Sequence, residues 1–285
     1  METRWMYHTS GSFAELREAS MGTCLIPMGC VEKHGLHMAL GTDMLIASSV
    51  AYMASQIETV TVFPDMNFGD VAERKNHHTD GTLTLPVETQ FLVLEQLCDQ
   101  IYLNGFRKIL LYNCHGGNQA WISAFLRNLD NKNKNYAVAR VYTEEQAPHN
   151  MAIKLLAEGS SSIPELTEED EALLIKYHKE NMIIGHACFG EGSYMMAVAP
   201  ETMRLDLLGK ESGLPTGESI PYRKAGVDIK NGGWHFDFPN AYCGHDPIGL
   251  NERIGAAAIR MEAERLAKAI KFFKEDEKLL DFIDK

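Results

Sequence analysis

Four short apolar runs, each followed by a polar or glycine-containing turn, set the hydrophobic pattern of this chain. They cover residues 24–28, 59–64, 108–113 and 136–142. Runs of this length that are rich in β-branched and aliphatic residues are typical of buried strands. Longer segments between and after them carry apolar residues at helical spacing, which predicts amphipathic helices. Strands that alternate with helices predict an α/β fold with a mostly parallel central sheet.

The predicted helices have recognisable starts. Asp43 opens a helical pattern and could act as its N-cap, and Pro86 begins a helix that continues to Leu103. Further helices are predicted at about 119–129, 194–199 and 251–274. Residues 144–182 are predicted to be a helical excursion, either a lid or an oligomer contact, within a single domain of residues 1–285.

Candidate metal ligands follow the first and third strands. Glu32 and His34 lie two residues apart, so on an extended segment both side chains leave from the same side. Asp43 comes next, and His115 stands in the turn after the third strand. Parallel strands end at the same edge of a sheet, where open α/β folds bind ligands. Taken singly, Glu32 and His34 could be loop residues, Asp43 a helix cap and His115 a turn residue. Four candidates from two strand–helix units instead predict one metal centre.

A second pair, His186 and Glu191, occurs in a glycine-punctuated loop later in the chain. His186 alone would be a buried, hydrogen-bonded histidine, but beside a metal it is the leading candidate for acid–base catalysis. The candidate ligands are sufficient for one divalent ion or two, with Glu191 as ligand or acid–base group: His34, His115, Glu32, Asp43 and Glu191. A set of imidazole and carboxylate ligands suits zinc, which is the metal expected first, or manganese. A shared aspartate commonly bridges two ions.

Two other segments are candidates for the substrate site. Residues 70–85 are dense in hydrogen-bonding side chains, including His77, His78 and Asp80. They form either a solvated loop or a polar wall that grips a hydroxylated or charged substrate, with Asp80 in a tight turn. Residues 209–247, rich in glycine and proline, carry Trp234 and His235 and are expected to form loops over the same face.

Composition narrows the function further. The formal net charge of −12 disfavours binding to nucleic acid or to anionic membranes. Six cysteines without a C-x-x-C pair, no secretory leader and no bilayer-length apolar run predict a soluble, cytoplasmic protein with reduced thiols. The chain has no nucleophile elbow, no P-loop and no dinucleotide fingerprint after a strand. Hydrolysis of a small polar substrate by metal-activated water is therefore the predicted chemistry.

The chain resembles the creatininase (creatinine amidohydrolase) family in blocks that span nearly its whole length. The blocks are Pro27-Met28-Gly29 with Glu32-Lys33-His34-Gly35, Leu40-Gly41-Thr42-Asp43, Asn113-Cys114-His115-Gly116-Gly117-Asn118, His186-Ala187 with Glu191, Ala199-Pro200-Glu201, and Gly244-His245-Asp246-Pro247. The resemblance implies a three-layer α/β/α domain, one or two divalent ions, and a homo-oligomer, often a hexamer. By position it implies metal ligands at Glu32, His34, Asp43 and His115, with His186 and Glu191 in the catalytic shell.

Departures from the creatinine-cleaving members bear on the substrate. Those members have an aromatic residue and a metal-binding glutamate where this chain has Gly116 and Gly117, and a tryptophan where Asn181-Met182 stand. Creatinine is therefore not the expected substrate, and Gly116 and Gly117 are expected to line the substrate site instead. Four hypotheses stay open: an amidohydrolase acting on a cyclic amide or formamide, a hydrolase that opens a keto-inositol ring of the 3-dehydro-scyllo-inosose type, a metal-stabilised binding protein without turnover, and a peptide-trimming enzyme, which would need an open cleft for an extended chain.

Overall fold

Four parallel strands form the sheet in the computed structural model, which describes residues 1–71, 79–144, 146–229 and 233–284. The strands are β1 (Thr23–Met28), β2 (Thr61–Val62), β3 (Lys108–Asn113) and β4 (Ala137–Tyr142), in the order β2-β1-β3-β4. The predicted parallel sheet is confirmed. β2 is shorter than the predicted run, and Pro64, just beyond it, has no amide hydrogen with which to continue a ladder.

Helices connect and follow the strands. They are α1 (Phe13–Ala19), α2 (Thr42–Ile57), α3 (Val87–Leu103), α4 (Asn118–Leu129), α5 (Ala147–Glu158), α6 (Glu168–Lys179), α7 (Phe189–Val198), α8 (Ile220–Lys224), α9 (Gly233–Asp237), α10 (Glu252–Glu275) and α11 (Lys278–Ile283). In the described part of the chain, none of them combines the length and the apolar content that crossing a bilayer requires.

The sheet is covered on both faces, which explains why β1 and β3 are buried at every position. Leu25 and Tyr112 point into a core that α2, α5, α6, α7 and α10 complete. Ile26 and Leu111, one residue along each strand, point into the other core, with α3 and α4. The result is a three-layer α/β/α arrangement. The helices within residues 144–182 contribute Met151 and other side chains to the first of these cores.

The strand order places a topological switch point between β1 and β3. From β1 the chain passes through α2 to β2 on one side, and β3 then lies on the other side of β1. α2 and α4, which follow the two strands, lie on opposite faces of the sheet. The carboxyl ends of β1 and β3 therefore open into a crevice, which is where folds of this kind bind their ligands.

A buried aspartate ties α6 to α10. Asp170 forms a capping box with Thr167 and accepts hydrogen bonds from Asn251 (2.7 Å) and Arg253 (2.7 and 3.1 Å). Burial alone would raise the pKa of Asp170, but these donors outweigh it and hold the pKa below its ordinary value.

We predict that Asp170→Ala lowers the free energy of unfolding at pH 7 by about 2 kcal/mol, since it removes a helix cap and a buried ion-pair partner. Because the pKa of Asp170 is lower in the folded protein than in the unfolded chain, its contribution to the free energy of unfolding is complete above about pH 4. That contribution disappears as the pH falls through the folded pKa. Urea unfolding at several pH values measures it. Asp206→Ala, which removes an exposed partner of Arg204, is the control and should change stability by less than about 0.5 kcal/mol. Equal losses in the two variants would contradict the prediction.

Candidate metal centre

The predicted ligands meet at the carboxyl ends of β1 and β3. β1 leads through Gly29 to Glu32 and His34, and β3 leads to His115. Because the two strands are parallel neighbours in register, Met28 lies beside Asn113 and the segments that follow them enter the same crevice. The prediction that two strand–helix units bring these residues together is confirmed by the structure.

Asp43 has a different local role from the predicted one. Gly41 is the N-cap of α2, and Asp43 lies in the first turn of the helix without capping it. The helix approaches the strand end so closely that a Cβ at Gly29 would lie 2.8 Å from the Cβ of Asp43, which only glycine avoids. The Asp43 carboxylate is therefore free to enter the crevice, where it is 1% exposed.

The two oxygens of Asp43 face two different histidines. Oδ1 is 3.1 Å from Nε2 of His34, and Oδ2 is 3.0 Å from Nδ1 of His115. On the His115 side, Oε1 of Glu32 lies 2.9 Å from the same Nδ1 atom. On the His34 side, Oε2 of Glu191 lies 3.5 Å from Nε2 of His34. The arrangement is two half-sites, Glu32 with His115 and His34 with Glu191, which share one carboxylate.

Backbone carbonyls set the tautomers of the three histidines. Nδ1 of His34 is 3.1 Å from the carbonyl oxygen of Glu32, and Nε2 of His115 is 2.9 Å from that of Asp70. Nε2 of His186 is 2.7 Å from the carbonyl oxygen of Lys33. A carbonyl oxygen only accepts, so each of these nitrogens carries the proton. The opposite nitrogen of each ring faces the cluster, where it can hold a second proton or, once that proton is lost, give its lone pair to a metal ion.

Glu191 and His186 come from one rigid segment. Glu191 lies in the first turn of α7, not in the loop that the sequence predicts. The extended residue Cys188 is the N-cap, so the helix begins at Phe189, two residues before Glu191. Ala187, between them, has a left-handed backbone (φ +59°), which is strained for a residue other than glycine. Nε2 of His37, 2.8 Å from the Ala187 carbonyl oxygen, and the Glu191 carboxylate, which accepts from the Ala187 amide, hold that conformation.

The charges in the cluster depend on one another. Burial alone would lower the pKa of His34, but the carboxylates of Glu191 and Asp43 raise it above its ordinary value. Burial alone would also lower the pKa of His115, but the carboxylates of Glu32 and Asp43 outweigh burial and raise that pKa well above its ordinary value. Burial raises the pKa of Glu191 despite the attraction of His34. Such a cluster retains protons that a divalent cation would displace.

The donor set fits a divalent metal. The ligand atoms of Glu32, Asp43 and His115 lie within 4.8 Å of one another, and so do those of His34, Asp43 and Glu191. Zinc and manganese accept imidazole nitrogen and carboxylate oxygen together. His186 lies beside both half-sites, with Nδ1 3.7 Å from Glu32 and 3.9 Å from Glu191, and its ligand atom is also within 4.8 Å of those of Glu32 and His34.

A cavity of about 450 Å³ opens onto the cluster. Four residues of the cluster line it: Glu32, His115, His186 and Glu191. The remaining lining residues are Lys33, Asp70, Val71, Thr79, Thr82, Gly116, Gly117, Gln119, Gly185, Trp234, His235, Ala241 and Cys243. Residues 209–247 are expected to form loops over this face; Trp234 and His235 do line the cavity, but they lie in the short helix α9 and not in a loop. The Trp234 ring meets the His186 ring edge to face, with 5.5 Å between the centroids.

The predicted substrate residues are divided among three places. Gly116 and Gly117 line the cavity, as expected. Asp80 is exposed and lines a neighbouring cavity of about 640 Å³, which shares Lys33 with the first. His77 and His78 lie outside the described residues.

Sequence reasoning missed Cys30, Lys33 and Gln119, and it included Asp70 only as the first residue of the polar segment 70–85. Cys30 is buried with its Sγ 3.1 Å from Oδ2 of Asp43, and the others line the cavity. Lys33 and Cys30 flank the candidate ligand Glu32 in sequence, but no spacing rule distinguishes them from ordinary loop residues.

Comparisons with known proteins identify the family of this chain. Residues 7–270 match the model of the family described as creatininase, creatinine amidohydrolase. The chain therefore belongs to the creatininase family.

The individual relatives are distant. A creatinine amidohydrolase from Pseudomonas putida is 26% identical over 106 residues, which cover 35% of this chain and 41% of that protein. The match thus spans less than half of that relative's length. A crystal structure from Bacteroides fragilis, provisionally assigned as a creatinine amidohydrolase, has a TM-score of 0.70 at 21% identity and covers 97% of this chain and 98% of that one. A manganese form of creatininase has a TM-score of 0.68 at 18% identity, covering 97% and 100%. These structures confirm the fold.

The two glycines after His115 differ in a testable way. A Cβ at Gly117 would lie 2.1 Å from the carbonyl oxygen of Asp70 and 2.5 Å from Nε2 of His115, the two atoms that fix the tautomer. A Cβ at Gly116 would meet no atom within 4 Å.

We predict that Gly117→Ala lowers the free energy of unfolding by about 1–3 kcal/mol through overpacking. Gly116→Ala is the matched control and should change it by less than about 0.5 kcal/mol. Neither residue has a positive φ, so the two substitutions differ mainly in the space available. Urea unfolding of both variants measures the difference, and equal stabilities would show that residue 117 is less enclosed than described.

Proposed function

We propose that this protein is a metal-dependent hydrolase that cleaves a small polar substrate in the cavity above Asp43. The observation that carries the proposal is the Asp43 carboxylate, which presents one oxygen to each of two histidines whose other ring nitrogens are bound by backbone carbonyls. Membership in the creatininase family and the likeness to zinc and manganese forms of creatininase support it.

The residues have separable roles in this proposal. Glu32, His34, Asp43, His115 and Glu191 would hold two divalent cations, one at each half-site. A cation held there would acidify a water molecule and polarise a carbonyl oxygen. His186, which lines the cavity, keeps one proton on Nε2 through the Lys33 carbonyl and offers Nδ1 to receive a proton and return it to the leaving atom. Trp234, packed against the His186 ring, limits access of bulk water to that nitrogen.

Two substrate classes compete within this chemistry. In an amide the leaving atom is nitrogen, and in a cyclic ketone that is opened by water it is carbon. In both reactions water adds to the carbonyl carbon, one bond breaks, and the leaving atom takes up a proton, so the same residues serve either. The hydrogen-bonding groups around the cavity, Lys33, Asp70, Thr79 and Gln119, support a polyhydroxylated substrate of the keto-inositol type. Family membership supports a cyclic amide or formamide.

Gly116 and Gly117 support a substrate other than creatinine. The structure gives the creatinine-type glutamate no room at residue 117, and at residue 116 the cavity is open where those members have an aromatic ring. A homo-oligomer and a cytoplasmic location remain predictions from the sequence.

The test compares creatinine, a formamide and an inosose as substrates of the purified protein after loading with Zn²⁺ or Mn²⁺. We expect turnover of the inosose or the formamide, its loss after chelation, and its return when metal is restored. Absence of turnover on all three after verified metal loading would contradict the proposed substrate range.

His186 separates an enzyme from a metal-stabilised binding protein. We predict that His186→Ala lowers kcat by about a hundredfold or more, because it removes the proton acceptor, while the five proposed ligands retain the bound metal. His178→Ala, which removes a histidine from α6, is the control and should leave kcat unchanged. Unchanged turnover in the His186 variant would contradict the acid–base role.

A further inference from the structure

A buried thiol contacts the shared carboxylate. Cys30 lies between β1 and Glu32, is 0% exposed, and places Sγ 3.1 Å from Oδ2 of Asp43. Its sulfur is also within reach of the ligand atoms of Glu32 and His115. A thiol is a weak donor to a neutral acceptor, but a hydrogen bond to a carboxylate is stronger and shorter.

We propose that Cys30 is a positioning residue whose S–H group holds Asp43 in the orientation that serves both half-sites. The inference rests on the proposed metal-dependent function, but concerns ion binding and not the substrate. Two atoms converge on Oδ2 of Asp43: Nδ1 of His115, which takes part in the His115 half-site, and Sγ of Cys30. Oδ1 faces His34. A carboxylate oxygen has two lone pairs, so one on Oδ2 can accept the thiol proton while the other faces the His115 half-site.

The orientation matters because a carboxylate can bind ions in two ways. With one oxygen directed to each half-site, Asp43 serves two ions. If the carboxylate turned so that both oxygens faced one half-site, it would chelate one ion there and would leave the other half-site without an Asp43 oxygen. The thiol opposes that turn, because turning would break its hydrogen bond in a site where the Cys30 side chain has no contact with solvent. Removing a hydrogen-bond partner of a metal-binding side chain commonly weakens metal binding by about 10- to 100-fold.

The experiment measures Zn²⁺ binding to the metal-free wild type, Cys30→Ala and Cys30→Ser by calorimetry. We expect Cys30→Ala to bind its second ion about 10- to 100-fold more weakly than the wild type. Cys30→Ser keeps a hydroxyl donor and should restore most of the affinity. Cys98→Ala removes an equally buried thiol from the core on the other face of the sheet and should bind both ions as the wild type does.

A spectroscopic measurement distinguishes the donor from a ligand and does not depend on any variant being folded. Cobalt-substituted wild type should show no thiolate-to-cobalt charge-transfer band, because the sulfur remains protonated and bound to Asp43. Such a band would overturn the inference by making Cys30 a ligand. Equal second-ion affinity in wild type and Cys30→Ala would also overturn it, as would a Cys30→Ser variant as weak as Cys30→Ala. A wild type that binds no ion at all would instead refute the proposed function.

Discussion

The structure depends on one buried carboxylate between two imidazoles. Asp43 is 1% exposed, so water does not hydrate its carboxylate, and an unpaired charge at that depth would be costly in free energy. His34 and His115 compensate it, and Glu32 and Glu191 bring two more negative charges to the same place. Three carboxylates with one divalent cation leave a net negative charge, whereas two cations leave a single positive charge. The second state is the one that attracts hydroxide or stabilises an oxyanion.

The fold brings this carboxylate and its partners together through its topology. β1 and β3 end side by side at a switch point, so their following segments share a crevice, and Gly29 lets α2 approach closely enough to deliver Asp43. The rings of His34 and His115 are then oriented by the backbone carbonyls of Glu32 and Asp70, which do not titrate, so that their other nitrogens face the cluster. Rigid support of this kind is what a preorganised site requires, since small errors in ligand position weaken metal binding and catalysis.

Much of this could be predicted from the sequence because the strands and the ligands follow strong local rules. β1 and β3 are continuous apolar runs, and His115 follows β3 in a glycine turn, so their convergence required only that the strands be parallel. Asp43 does not cap α2, although aspartate at a helix start ordinarily acts as the cap, because tertiary packing places it in the first turn. The sequence predicts a loop at Glu191 because Gly190 and Gly192 beside it disfavour a helix, but packing stabilises α7 there.

Other features had no local pattern to reveal them. Hydrogen bonds from His115 to Asp70 and from His186 to Lys33 involve backbone oxygens, which every residue possesses. Cys30 resembles any small buried residue until its distance to Asp43 is known.

The most direct test of the shared-carboxylate account is a crystal of the zinc-loaded protein measured with anomalous scattering at the zinc absorption edge. The account predicts two zinc peaks per chain, one between Glu32 and His115 and one between His34 and Glu191, with Asp43 contacting both. A fully loaded crystal with a single peak, or with peaks that Asp43 does not contact, would contradict it.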